Sequence, residues 1–358
     1  MKRYIRELIV TLIFCSVIVC VTGGTIVKKV VKAFAPKEEV SDVNKGHELE
    51  QEKKNQSTGN AVSNLMDGFT EDLAGKEEGA KAATKVSKAA SMGISIESTQ
   101  VLLGKEDWLF YKSTTDGDPI ADYQGTNHYS ADYMAQIANK LIGESQTFNS
   151  YGCDFYVMSI PNKENVYAEY MPDSVERYDT VSKTDEFIEY LQNNTSLNVI
   201  NTKPDILEAK KKYQVYYSSD THCNDIGAFA ITQAALQSIT GQKDSMSTVK
   251  FNETGQNYSG DLAALCEMSD IFNEDSTYQL DTSTINTSLK SDKRVLIIGD
   301  SFADVIQPTM SQYFAEVNTV GVWSFSMQDL YTYSPDVVIW ENAERYTDRF
   351  DWIYITQQ

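Results

Sequence analysis

The stretch Arg294–Val305, RVLIIGDSFADV, decides the fold. Val295 to Ile298 form an uninterrupted apolar run with β-branched members, the pattern of a strand buried on both faces, and Gly299 ends it abruptly. The residues beyond Gly299 suit a helix, so the segment reads as strand, sharp turn and helix, with Ser301 at the turn. A serine so placed can be an exposed nucleophile, with N–H groups of the helix start facing a developing oxyanion. It can equally be a helix cap. A nucleophile needs a base, and the chain's 3 histidines, His47, His128 and His222, all precede the serine.

Working outward, four further runs resemble this strand: CDFYVMSI (153–160), LNVI (197–200), EVNTVGVW (316–323) and DVVIW (336–340). Helix-like segments such as DEFIEYLQNN and GAFAITQAALQSI lie between several of them. Continuous apolar strands alternating with helical patterns predict an α/β fold, a three-layer, doubly wound (flavodoxin-like) parallel sheet. Such sheets bind ligands at the carboxyl ends of their strands. The residues to watch are therefore Pro161-Asn162-Lys163, Gly299-Asp300-Ser301, Trp323-Ser324 and Glu341-Asn342.

The segment YYSSDTHCNDIGAFAITQAAL, Tyr216–Leu236, supplies a candidate base. Asp220 and His222 are two apart, and a carboxylate beside an imidazole fixes one tautomer and stabilises the cation formed in proton transfer. The same residues could bind a metal, although the further ligands of a hydrolytic zinc site are missing nearby, or merely cap the helix entry. Taken with Ser301 they give the order Asp–His–Ser. Chain order varies between folds, so an upstream histidine is admissible if the fold brings residue 222 to residue 301. Neighbouring strand ends of one parallel sheet would do so.

Gly299-Asp300-Ser301-Phe302 resembles the first block of the SGNH (GDSL-type) hydrolases, and Asp220-Thr221-His222-Cys223-Asn224 with Gly227 is similar to their last block. The reversed order resembles the circularly permuted AlgX/AlgJ-like (DHHW) branch, which are extracytoplasmic polysaccharide O-acetyltransferases. GKEDWLF (Gly104–Phe110), IPNKENVYAEYMP (160–172) and DVVIWENAERY (336–346) match further blocks of that branch, so the resemblance spans roughly residues 100–350. It implies Ser301 as the nucleophile, His222 as the base and Asp220 as its orienting partner. The Ser301 N–H is then the leading oxyanion donor and Asn342 a further candidate. Asn342 could instead belong to the branch's structural Glu-Arg pair, and Asp300 could be a turn residue. Asn162 and Lys163 would line the cleft, and Gly260-Asp261 would lie in a loop near the site.

The chain departs from that branch in having Cys223 where a tryptophan is usual, a position expected to shape the cleft. No segment is expected for the carbohydrate-binding β-domain that relatives often carry, so polymer binding would fall to the catalytic face or a partner. No cofactor or metal is implied. The expected partners are a polysaccharide acceptor and a membrane-bound acyl-handling protein as acetyl donor. A secreted carbohydrate esterase with the same triad, or a non-catalytic glycan-binding protein on this fold, are the alternatives.

Composition sets the remaining bounds. The 358 residues suffice for one large domain with an appendage or for two, and 41% are hydrophobic. A formal charge of −20 argues against nucleic acid as a partner. The 21 tyrosines suit a carbohydrate cleft, but tyrosine also fills core edges. From Leu8 to Val27 the chain is uncharged and mostly apolar between Lys2, Arg3, Arg6 and Lys28, Lys29, Lys32. That length predicts a single uncleaved transmembrane anchor, with residues 1–7 as a cytoplasmic tail and the rest outside the cell membrane. Residues 28–95 are polar and charge-rich and predict a largely disordered tether before a catalytic domain at 96–358. Cys15 and Cys20 fall in the anchor; Cys153, Cys223 and Cys266 allow one pairing or none.

Overall fold

Residues 100–352 are described in the computed structural model. The expected anchor at 8–27 and tether at 28–95 lie outside them, and among the described residues no helix is long and apolar enough to cross a membrane. The chain runs through β1 (Val101–Leu103), β2 (Leu109–Tyr111), α1 (Pro119–Gln124), α2 (Ala131–Ser150), β3 (Asp154–Ile160), α3 (Lys163–Val166), α4 (Lys183–Asn194), β4 (Asn198–Asn201) and α5 (Lys203–Lys210). It continues through α6 (Asp225–Thr240), β5 (Phe251–Tyr258), α7 (Asp261–Leu265), β6 (Asp275–Leu280), β7 (Arg294–Gly299), α8 (Ser301–Tyr313), β8 (Glu316–Gly321), α9 (Met327–Tyr333) and β9 (Val337–Ala343). A 3₁₀ segment, Glu344–Trp352, is the last of the described elements.

All five expected strands enter one sheet, in the order β4-β3-β9-β7-β8, and every pairing in it is parallel. Side chains alternate across a strand, so each run serves two cores. On one face Val295 and Ile297 of β7, Val337 and Ile339 of β9, and Tyr156 and Met158 of β3 pack with Phe229 of α6 and Phe302, Ile306 and Met310 of α8. On the other face Leu296, Ile298, Val338, Trp340, Phe155 and Val157 pack with Ile137 and Leu141 of α2, Phe187 of α4, Leu330 of α9 and Phe350. Fully burying such side chains stabilises the fold by about 1.5–3 kcal/mol each, which is why the central strands carry no polar alternation.

The strand order explains the reversed motifs. Counted from β7 as strand 1, then β8, β9, β3 and β4, the spatial order becomes 2-1-3-4-5, the flavodoxin-like arrangement. The sequence enters this wheel at β3 and reaches its first strand late. In that arrangement the ligand crevice opens between strands 1 and 3, here β7 and β9. β7 leads into α8 on one face, whereas the segment after β9 places Phe350 in the core of the opposite face, so the two chains part above the crevice.

Two antiparallel hairpins, β1–β2 and β5–β6, lie outside this sheet. The first falls on GKEDWLF; β5–β6 and the 20-residue α2 were not among the expected elements. Cys153, Cys223 and Cys266 are free thiols, each buried.

Candidate active site

β7 delivers Ser301, the candidate nucleophile. At its end Gly299 is pressed against β9: a Cβ there would stand 2.3 Å from Glu341 Oε2, so no other residue fits this turn without displacing that carboxyl. Asp300 donates its N–H to Glu341 Oε2 at 3.1 Å and accepts from the N–H groups of Phe302 at 3.0 Å and Ala343 at 2.9 Å. Asp300 is thus a turn residue, capping α8 and stitching β7 to β9. Ser301 is the first residue of α8 and exposed. Its N–H has no acceptor within the helix, and the helix N-terminus favours negative charge.

His222, the candidate base, arrives differently. The loop with Asp220 and His222 extends from no sheet strand, contrary to the expectation of neighbouring strand ends. It runs from α5 into α6, pinched by an isolated bridge between Tyr216 and Cys223. Asn224 caps α6 by accepting from Ile226 and Gly227 N–H at 3.0 and 3.1 Å, which turns the loop back toward α8. Gly227 is required there, because a Cβ would lie 2.3 Å from the Val215 carbonyl oxygen.

The three residues meet. His222 Nε2 stands 2.7 Å from Ser301 Oγ, and its Nδ1 stands 2.7 Å from Asp220 Oδ1. Asp220 also accepts the N–H of His222 at 2.8 Å, the hydroxyl of Tyr258 at 2.7 Å and the N–H of Asp261 at 3.1 Å. Burial alone would raise the Asp220 carboxyl, but the hydrogen bond and charge of His222, with the Tyr258 hydroxyl, hold it well below the usual carboxylate range. Burial alone would lower His222; Asp220 and Asp261 outweigh it and raise the imidazole to about 9. Asp261 Oδ2 lies 3.5 Å from His222 Nδ1, and its other oxygen accepts the Thr221 N–H at 2.7 Å.

The expected cleft residues have other tasks. Lys163 is buried and spends its ammonium on three carbonyls of the base loop, Tyr217 at 3.2 Å, Ser218 at 3.1 Å and Asp220 at 2.6 Å. Burial lowers it to about 8. Trp108 and Phe110 of the GKEDWLF motif cover that ammonium at 5.6 and 5.3 Å, and Leu109 N–H reaches the Ser218 carbonyl at 2.9 Å. Asn162 is likewise buried; its side chain accepts the Arg345 N–H at 3.1 Å and its own N–H donates to Glu344 Oε2 at 2.7 Å. Neither lines an open cleft. Gly260 lies against Asp220, where a Cβ would come within 2.3 Å of the Asp220 Cβ.

Asn342 is fully buried on β9, on the same face as Val338 and Trp340 of the α2/α4 core, and its Oδ1 and Nδ2 have no hydrogen-bond partner among the described residues. Cys223, expected to shape the cleft, is buried beside Tyr216 in the α6/α8 core. Burial pushes its thiol far up, so it is inert. Three positioning residues carry no signal of their role in the sequence. Tyr258 lies on the unforeseen β5. Asp275, on β6, accepts the N–H groups of Ser218 and Ser219 at 2.8 and 2.9 Å. Asp261 reads in the sequence only as part of a nearby loop.

Asp220, His222 and Asp261 place three potential metal-ligand atoms within 4.8 Å of one another. The geometry fits a hydrogen-bonded relay better. A tetrahedral ion about 2.0–2.2 Å from both Nδ1 and Oδ1 would hold them more than about 3 Å apart, whereas they stand 2.7 Å apart.

Comparison with known proteins bears on this site. Residues 101–316 match the family described as SGNH hydrolase-like domain, acetyltransferase AlgX. Similar solved structures include the O-acetyltransferase domain of Pseudomonas putida AlgJ, at 18% identity over 72% of this chain and 94% of that one, TM-score 0.48. Bacillus cereus PatB1 with a sulfonyl adduct is 14% identical over 69% of this chain and 96% of that one, TM-score 0.44. A DHHW family protein from Eubacterium siraeum is 14% identical over 72% and 99%, TM-score 0.47. No curated protein matches the chain.

Proposed function

The chain belongs to the SGNH hydrolase-like family of AlgX-type acetyltransferases, and on that premise we propose that it is a serine-dependent O-acetyltransferase acting on an extracellular or cell-wall polysaccharide. One observation carries the reading, the unbroken line Asp220–His222–Ser301 with both links at 2.7 Å. Ser301 Oγ attacks the acetyl carbonyl while His222 Nε2 takes the hydroxyl proton; the tetrahedral intermediate collapses and His222 returns that proton to the departing donor oxygen. His222, neutral again, takes the proton of a sugar hydroxyl as its oxygen attacks the acetyl-serine; the second tetrahedral intermediate then collapses by breaking the bond to Ser301 Oγ, and His222 returns the proton to that oxygen, restoring the serine. Asp220 holds the Nδ1–H tautomer and stabilises the imidazolium at each stage. The Ser301 N–H at the α8 terminus receives the oxyanion. The burial of Asn342 favours an interior role for it over oxyanion donation.

Residues 8–27 would anchor the chain, residues 28–95 tether it, and 96–358 work outside the membrane. Acetyl groups would then come from a membrane-bound acyl-handling partner, since acetyl-CoA is cytosolic. The test monitors acetyl release from an activated ester by the wild type and Ser301→Ala, with and without a glycan acceptor. Serine-dependent turnover that the acceptor accelerates, with acetyl on the sugar, is expected. Release indifferent to acceptor would make the protein an esterase, and turnover unaffected by the substitution would end both readings.

A further inference from the structure

Trp323 is 72% exposed, the most exposed large hydrophobic residue among those described. A lone exposed aromatic is ordinary on a protein surface. This one is different because of what fixes it. The turn that presents it is anchored by three hydrogen bonds to one carbonyl: Gly321 accepts from Ser324 N–H at 2.9 Å, Phe325 N–H at 3.1 Å and Ser324 Oγ at 3.1 Å. Val322 before it and Phe325 two residues after it pack against the α2/α4 core, so Trp323 and Ser324 project outward between two inward anchors. Val322 N–H also donates to the Gly299 carbonyl at 3.0 Å, and Gly321 pairs with Gly299 across β7 and β8. The indole therefore begins one residue beyond the bond that ties this turn to the nucleophile strand.

A run of rings and guanidinium groups spans the distance from His222 to this indole. The His222 imidazole packs on Phe302 at 4.9 Å, and Arg345 stands 6.0 Å from Phe302 and 4.7 Å from Tyr346. Arg349 lies 3.3 Å over Tyr346 and 5.7 Å from the Trp323 ring. Phe302 and Arg345 are buried, so the run is fixed at its catalytic end and opens to solvent at Trp323. It tracks the carboxyl ends of β7 and β9, where the fold opens its crevice. The rim is polar, with Arg349 3.8 Å from a half-exposed Asp116.

We propose that Trp323, backed by Arg349, is the platform on which a pyranose ring of the acceptor glycan stacks, positioning a neighbouring hydroxyl for the acyl group on Ser301. A flat aromatic face covers the C–H face of a sugar while its hydroxyl edges stay hydrated or bond the rim. A single ring bordered by charge does not suit an acyl chain, which needs an enclosed apolar groove. Preorganisation explains the rigid turn, since an aromatic already held in place loses little entropy on binding. The proposal rests on the glycan-acceptor reading above.

The test uses the full-length chain carrying Ser301→Ala, titrated calorimetrically with cellohexaose, chitohexaose and mannohexaose. At least one should bind, and adding Trp323→Ala should weaken it about tenfold, the scale of one lost aromatic stacking contact. Trp323→Phe should restore most of the affinity, and the melting temperature of each variant should stay at the parent value because the indole is exposed. Affinity of the Trp323→Ala variant within twofold of its parent, or no binding of any hexasaccharide by the parent, would overturn the platform. Binding here needs no serine, so a failed acetyl-transfer assay beside Trp323-dependent binding would end the enzymatic reading alone.

Discussion

The turn that carries Ser301 is local geometry at the end of a buried strand, whereas the loop that carries Asp220 and His222 is held from a distance. In the first, Gly299, Asp300 and Ser301 continue from β7 itself, and β9 adds the Ala343 N–H and the Glu341 carboxyl. In the second, no strand of the parallel sheet runs into the loop. Lys163 grips the loop from 57 residues away in sequence, Asp275 from 56 and Asp261 from 40. A nucleophile can sit on a strand end because it needs only exposure and a helix terminus. A base needs a fixed tautomer and a fixed angle, so its backbone is pinned from several sides.

If the two regions divide the work this way, damage to them should differ in kind. The largest effect should come from His222→Ala, which removes the relay and lowers kcat on an activated acetyl ester by about 10⁴-fold or more while leaving the melting transition in place. Asp275→Ala should instead strike through structure. It leaves the N–H groups of Ser218 and Ser219 unpaired in a buried site, which should cost about 3 kcal/mol in urea unfolding and most of the activity with it. Asp300→Asn, the counterpart in the nucleophile turn, should cost about 1 kcal/mol, because an amide oxygen still accepts from one of the two N–H groups.

Titration sharpens the comparison further. His222 is held at about 9, so at neutral pH most molecules carry an imidazolium whose Nε2–H cannot accept the serine proton. Ester hydrolysis should rise as pH rises toward 9. Removing the second carboxylate with Asp261→Asn should move that midpoint down by about one pH unit, a displacement that a kcat/KM profile reads directly; superimposed profiles would exclude Asp261 from the acid–base loop. The smallest effect belongs to Tyr258→Phe. It deletes one of four hydrogen bonds on Asp220 and should slow turnover about tenfold or less.

The same contrast accounts for what could be read in the sequence. The central strands β3, β7 and β9 were legible as continuous apolar runs, the edge strands β4 and β8 only by shorter apolar stretches, and Ser301 was legible because it lies in the turn that follows β7. His222 and Asp220 were found by residue type and spacing, but their location off the sheet was not, since long-range polar contacts leave no periodic trace. Lys163 and Asn162 looked like cleft residues because they come after a strand; they lie inside instead, where a lysine with three carbonyl acceptors is satisfied. Asn342 was a candidate only because it follows a strand; which face it takes depends on parity, since on β9 the odd residues face α8 and the even ones the opposite core. Tyr258 and Asp275 sit on a hairpin whose polar, half-exposed strands lack any apolar signature.

The central claim is that Ser301 takes the acetyl group with His222 as its base. Incubating the full-length chain with an activated acetyl ester, quenching in acid and mapping the peptides by mass spectrometry tests it most directly. One acetyl group should appear on the peptide containing Ser301, be discharged when a glycan acceptor is added, and be missing from both Ser301→Ala and His222→Ala. Acetyl release by Ser301→Ala at the wild-type rate, with no labelled serine in the wild type, would contradict the account.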